Sequence, residues 1–184
     1  MAEDLSGKKI AFLVANSGVE EVELTTPWDA LRDAGADTVL IAPERGEVQA
    51  FEGDVNEAGT FEATLAAADA EVDDFDALVL PGGTTNPDKL RMDEAAVAFV
   101  TRFAEAGKPV AAICHGPWTL VEAGLVDGKT LTSWPSLRTD ITNAGGSWVD
   151  EESFTCPEQG FTLVTSRKPD DLEAFSAAAV AAFA

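Results

Sequence analysis

The sequence is short of bases, has a single histidine and two cysteines, and contains no tyrosine. Lysine and arginine total 12 against 33 aspartate and glutamate, a formal charge of −21 with the histidine neutral. So few bases cannot form the positive face that nucleic acid or an anionic membrane requires, and neither partner is expected. No run of about 18 or more apolar residues occurs, which excludes a membrane-spanning helix. The start, MAEDLSGKK, lacks the charged-then-apolar plan of a signal peptide, and a cytoplasmic home is expected. Cys114 and Cys156 are too few for a disulfide framework. One histidine among scattered carboxylates has no metal-ligand spacing. No phosphate loop and no dinucleotide fingerprint is present, so no cofactor is expected.

The acid is spread along the chain rather than gathered in a tail. Glu20-Glu21, Asp73-Asp74, Glu151-Glu152 and Asp170-Asp171 fall between apolar segments. This is a solvated acidic surface, and its density suits a salt-loving microbe, where molar salt screens self-repulsion. With 184 residues, 46% of them hydrophobic, the chain fits one domain spanning 1–184.

Strands and helices alternate. KIAFLVA (9–15), TVLIA (38–42), DALVLPGG (76–83) and KPVAAIC (108–114) read as buried strands. Helices are predicted from Glu20 to Ala34, from Asp93 to Ala106, after Gly116, and from Pro169 to the end. The first carries Leu24, Trp28 and Leu31 on one side, the second Val97, Val100 and Phe103. Residues 44–73 are mixed: GEVQAFE suits a strand, and FEATLAAA is either helical or extended. ESFTC and FTLVTS suggest a late hairpin. The alternation predicts a mostly parallel sheet covered on both faces, with its site beyond the carboxyl ends of the strands.

Three such ends carry chemistry. AICHG (112–116) runs from an apolar strand through Cys114 into a helix, with small residues at Ala112 and Gly116. That is the pattern of a nucleophile elbow, whose tight turn requires small neighbours. A helix N-terminus behind Cys114 is expected to favour its thiolate. His115, the only histidine, follows directly, so any histidine-assisted step within one chain must use it. This excludes the distant downstream histidine of a glutamine amidotransferase. In GVEEVELTTP, Glu20 and Glu23 share one predicted helical face with Pro27. If that face meets the elbow, a carboxyl group buried there stays protonated and hydrogen-bonds the sulfur. In PGGTT, Gly82 and Gly83 permit close backbone approach, and the Gly83 and His115 amides can serve as an oxyanion hole.

These segments, in this order and spacing, resemble the ThiJ/PfpI family of the class I glutamine amidotransferase-like superfamily. The likeness is strongest to its PfpI-like intracellular cysteine peptidase branch. It is carried by VEEVEL with TTPWDALRDAGADTVLIAP, by FDALVLPGG, and by GKPVAAICHGPWTLVEAG running on to TSWP and NAGGSWVD. The resemblance implies a flavodoxin-like three-layer sandwich assembled into homodimers or hexamers. It implies Cys114 as nucleophile, His115 as its partner, Glu23 as the buried carboxyl group and Glu20 as a second active-site carboxylate. It further implies that Asp88 of a neighbouring subunit orients His115, although the branch usually has Glu there. Trp134 stands where the branch usually has Tyr. Peptidase, deglycase and glyoxalase activities on peptides or small carbonyl compounds are implied, with a role in stress protection. A non-catalytic redox sensor or chaperone-like protein acting through oxidation of Cys114 is the alternative. Cys156, Trp118 and Trp148 read as structural.

Overall fold

The structure is a computed structural model that describes residues 3–184. Its first strand, β1 (Lys9–Leu13), is apolar on both sides. Ile10 and Phe12 join one core and Ala11 and Leu13 the other, and all four are fully buried. A strand with that pattern belongs in the middle of a covered sheet.

The chain continues through β2 (Ser17–Glu20), α1 (Glu21–Asp33), β3 (Asp37–Ala42), β4 (Gly46–Glu52), β5 (Asn56–Ala63) and β6 (Leu65–Ala66). Next come β7 (Ala77–Leu80), α2 (Thr85–Leu90), α3 (Glu94–Glu105), β8 (Val110–Ile113) and α4 (Pro117–Glu122). The remainder is β9 (Thr130–Leu131), α5 (Arg138–Asn143), β10 (Ser147–Trp148), β11 (Ser153–Cys156), β12 (Leu163–Ser166) and α6 (Leu172–Phe183).

The main sheet has the order β11-β12-β8-β7-β1-β3-β6. All its pairings are parallel except β11 with β12, which form the hairpin expected late in the chain. Helices α1 and α6 pack together on one face. Phe99, Val100 and Phe103 of α3 and Leu120 of α4 fill the other. The expected α/β sandwich with a mostly parallel central sheet is present.

Two local readings need correction. Glu20 is not on the first helix: it ends β2 in extended conformation, φ −68° and ψ 120°, and the helix begins at Glu21. Val97 is only half-buried, and Ala96 and Phe99 complete the inner face of α3 instead. GEVQAFE is the strand expected there, β4, and the following FEA is extended in β5; the two join β2 in a separate three-stranded sheet, β2-β4-β5. The tip of this β4–β5 arm, Gly53-Asp54, has both residues at positive φ (62° and 67°).

Candidate active site

Cys114 follows β8, a central strand, and has φ +61°, one of three positive values at non-glycine residues among the described residues. Such backbone costs on the order of 1–3 kcal/mol and persists only where the surroundings enforce it. They do so here. The Cys114 amide donates to the Ser166 carbonyl at 3.0 Å, its carbonyl accepts from Trp134 at 2.9 Å, and the Gly116 amide closes the turn on Ile113 at 2.8 Å. A Cβ at Gly116 would lie 2.5 Å from the Leu80 carbonyl and 2.9 Å from that of Ile113, which is why the elbow needs glycine there.

The turn brings consecutive side chains together. Cys114 Sγ lies 3.2 Å from His115 Nδ1. The imidazole is held by Trp134, stacked at 5.7 Å with an interplanar angle of 22°, and by Trp118 at 5.1 Å. Burial pushes the His115 pKa down, opposed by the charge of Asp54, so the ring is a neutral base near pH 7.

Glu23, on the first turn of α1, has no exposed surface, and neither carboxyl oxygen makes a hydrogen bond of good geometry. The groups bearing on it are the Cys114 thiol, the Glu20 carboxylate, whose charge disfavours ionisation, and the Gly82 and Gly83 amides. With no cation to balance a charge, burial raises its pKa to about 8 and the group is a carboxylic acid at neutral pH. Burial also pushes the Cys114 thiol up, and an ionised Glu23 would push it further. The amides of Gly83 and His115 pull it down. Glu23 and Cys114 therefore titrate together and carry at most one negative charge between them. The expected preference for the thiolate is thus opposed in the resting site: burial and Glu23 hold the proton on the sulfur, and the Gly83 and His115 amides are the groups that favour its loss.

The second turn, Pro81–Gly83, is fixed from beneath by Asn86, which is fully buried. Its Oδ1 accepts from Ala15 at 2.6 Å, and its Nδ2 donates to the Pro81 and Gly82 carbonyls at 2.9 and 3.0 Å. Asn86 thus ties the end of β1 to the turn that faces the sulfur. A Cβ at Gly82 would collide with Glu23 Oε2 and lie 2.6 Å from Cys114 Cβ.

These groups line a pocket of about 190 Å³, formed by Glu20, Glu23, Gly53, Asp54, Gly83, Cys114, His115, Trp134 and Pro169. Glu20 accepts from the Gly53 amide at 3.0 Å, and Asp54 accepts from Thr84 N at 2.6 Å and Thr84 Oγ1 at 2.8 Å. Glu20, Glu23, Cys114, His115, Gly83 and Trp134 thus come together as expected. Gly82 lies directly behind, against Glu23 and Cys114. Asp88 does not: it is exposed on α2 and lies outside its own chain's pocket. Gly53, Asp54 and Pro169 were not anticipated. Gly53-Asp54 is legible as a turn between two strands, but its position over the site is set by the β2-β4-β5 sheet. A larger, mainly apolar cleft of about 320 Å³, lined by Leu24, Trp28, Leu40 and Phe61 with Thr25, Asp29 and Glu62 beside them, holds neither a cysteine nor the histidine. Cys156 is buried and free, 3.4 Å from the Thr130 amide, and far from this chemistry in the fold. Among the described residues no cluster could hold a metal ion, and no helix is long and apolar enough to cross a membrane.

A strained cysteine beside a neutral histidine, beyond the carboxyl ends of a parallel sheet, defines a cysteine-nucleophile site on an α/β scaffold. Residues 8–182 match the DJ-1/PfpI family, and the chain belongs to it. It is 42% identical to the putative cysteine protease YraA of Bacillus subtilis over 170 residues, covering 92% of this chain and 94% of the relative. It is 41% identical to protein/nucleic acid deglycase 2 of Escherichia coli over 171 residues, with the same coverage. Among solved structures, a two-domain protein of Anabaena variabilis with DJ-1/ThiJ/PfpI-like and ferritin-like domains superposes with a TM-score of 0.84 at 34% identity. That match covers 95% of this chain and 49% of the two-domain chain.

Proposed function

We propose that this chain is a cysteine-dependent hydrolase that removes reactive carbonyl adducts, a PfpI-like deglycase. The observation that carries the reading is the 3.2 Å approach of Cys114 Sγ to His115 Nδ1 at an enforced elbow. His115 Nδ1 takes the thiol proton while Sγ bonds to the carbonyl carbon of the substrate. The carbonyl oxygen gains the negative charge and faces the Gly83 and His115 amides, which already point at the sulfur. Protonated Glu23 steadies the sulfur beneath. In a fresh methylglyoxal adduct, a hemiaminal, the amine leaves carrying a proton from His115 and frees the aldehyde carbon for Sγ. The hydrogen on that carbon then moves as a proton to the adjacent carbon, so the thiohemiacetal carbon is oxidised to a thioester while the ketone carbon is reduced to an alcohol and no outside oxidant is involved. One water then releases the hydroxy acid and the free thiol.

Pocket size favours small carbonyls or a single modified side chain over an extended peptide, since about 190 Å³ is below the roughly 300–1,000 Å³ of sites for larger ligands. The relatives named as a putative cysteine protease and as a deglycase agree with the thiol chemistry and leave peptidase activity as the second reading. The working unit is a homo-oligomer, dimer or hexamer, in the cytoplasm, and Asp88 of one subunit acts at a neighbour's His115.

Release of N-acetylarginine from its fresh methylglyoxal adduct tests the reading. Cys114→Ser and His115→Ala are both expected to abolish release. Loss in Cys114→Ser with full activity in His115→Ala would overturn the role of His115. In the redox-sensor alternative, peroxide oxidises Cys114 equally in native protein and in His115→Ala, and neither turns over the adduct.

A further inference from the structure

Resting on the reading of His115 as the base that serves Cys114, we propose that Asp140 is a positioning residue for that reaction. By binding the indole of Trp118, it fixes the plane of the His115 imidazole and keeps water from its face.

The imidazole has few tethers of its own. Among the described residues, its approach to Cys114 Sγ is the one hydrogen bond of the side chain. Within the chain, packing therefore sets the ring's orientation about that single contact. Two indoles supply the packing, Trp134 stacked on the ring and Trp118 tilted against it at 60°. They are anchored in different ways. Trp134 is held by its backbone: its amide donates to the Cys114 carbonyl, and its carbonyl accepts from the Ser133 hydroxyl at 2.9 Å. That hydroxyl oxygen accepts in turn from the Trp148 indole at 2.9 Å.

Trp118 is held by its side chain. Its Nε1–H donates to Asp140 Oδ2 at 2.9 Å, which links α4 to the first turn of α5. A carboxylate acceptor makes this bond stronger than one between neutral groups. The Arg91 guanidinium, just past the end of α2, lies over the indole face, 5.7 Å from the ring centroid. Arg91 is itself paired with Glu122 at 3.3 Å. Three elements thus close on one half-buried indole, from its edge and from its face. Without Asp140 the edge is free, the indole can turn about its own torsions, and the imidazole loses one wall. A misplacement of about 1 Å between reacting groups costs on the order of a hundredfold in rate, so partial loosening is expected to cost about tenfold. The titratable and charged groups around the ring fall into two sets. Cys114, Glu20, Glu23 and Asp54 line the pocket, and Asp140, Arg91 and Glu122 stand behind Trp118.

With one histidine in the chain, NMR of the imidazole reads this positioning directly and without turnover. Asp140 is exposed, so its replacement does not threaten the core. In Asp140→Ala the imidazole resonances are expected to leave their native positions as the indole wall moves. The His115 pKa, held down by burial, is expected to rise toward its ordinary value as water reaches the ring. Loss of the Asp140 charge alone would lower it, so the direction separates the two causes. In release of N-acetylarginine from its fresh methylglyoxal adduct, Asp140→Ala is expected to lower kcat about tenfold with KM nearly unchanged. Asp140→Asn, which keeps an acceptor oxygen, is expected to recover most of the rate and the native resonances. Trp118→Phe, which keeps a ring and loses the donor, is expected to match Asp140→Ala, and the double variant to be no worse than either. Native resonances and native kcat in Asp140→Ala would overturn the proposal. So would shifted resonances with native kcat, or an Asp140→Asn protein as impaired as Asp140→Ala. Native protein that releases no N-acetylarginine would overturn the hydrolase reading, and the role of Asp140 with it, a failure visible before any substitution is made.

Discussion

Glu23 and Cys114 occupy adjoining buried positions that cannot both be charged, and that coupling has a consequence for stability. Folded, Glu23 keeps its proton up to about pH 8; unfolded, it loses it near the ordinary value of 4.5. The folded state therefore binds more protons across that window. Its stability falls as pH rises from 4.5 to about 8 and levels off above. Glu23→Gln removes the effect. The variant is expected to be more stable than native protein at pH 8 by on the order of 2–4 kcal/mol in denaturant melts, with the gap closing by about pH 5. A gap that does not change with pH would contradict the protonated-acid description. Activity should move the other way. Gln offers the sulfur an amide N–H, a weaker donor than a carboxylic acid, and kcat/KM is expected to drop about tenfold or more. At this scale the sequence was informative: Cys114, His115 and Glu23 are legible because elbow, adjacency and helix entry each leave a local pattern. Asp54 is not, because nothing around FEGDVN signals the sulfur it approaches in space.

Two turns, one after β7 and one after β8, place the reacting groups, and both depend on residues that cannot be enlarged or removed. Asn86 makes three hydrogen bonds to buried backbone groups, one at Ala15 just after β1 and two in the Pro81–Gly83 turn. Asn86→Ala leaves those groups unpaired, and a loss of about 2–5 kcal/mol is expected in thermal or urea unfolding. Gly82→Ala forces a methyl group against Glu23 and Cys114. It is expected to cost labelling of Cys114 by iodoacetamide as well as stability. Normal labelling in a well-folded Gly82→Ala protein would show that the turn does not shape the thiol's surroundings. The core strands and long helices are readable from their apolar runs. The helix start is misread at Glu20 because an i, i+3 pair of acids fits a helical face as well as a strand followed by a first turn. The β2-β4-β5 sheet is hidden for a different reason: its pairing joins residues about 30 positions apart, which local periodicity does not record.

The whole molecule carries a charge of −21, and self-repulsion among its carboxylates is screened by salt. Raising KCl from about 0.1 M to about 2 M is expected to raise Tm by on the order of 5 °C or more, and a Tm that falls would contradict a repulsion-limited surface. Assembly is tested by complementation. Cys114→Ser and Asp88→Ala subunits are each expected to be inactive or strongly impaired, and mixing them under exchange is expected to restore part of the activity, because some sites then combine an intact Cys114 with a neighbour's Asp88. No recovery in confirmed mixed oligomers would assign His115 its carboxylate within one chain, with Asp54 the nearest candidate.

The central claim is that Cys114 performs carbonyl chemistry. Conversion of methylglyoxal to lactate in molar KCl, by native protein and by Cys114→Ser, tests it most directly. The account predicts steady turnover by native protein and a loss of about a thousandfold or more in the variant. Lactate formation that survives Cys114→Ser, or its absence from native protein whose Cys114 still reacts with iodoacetamide, would contradict it.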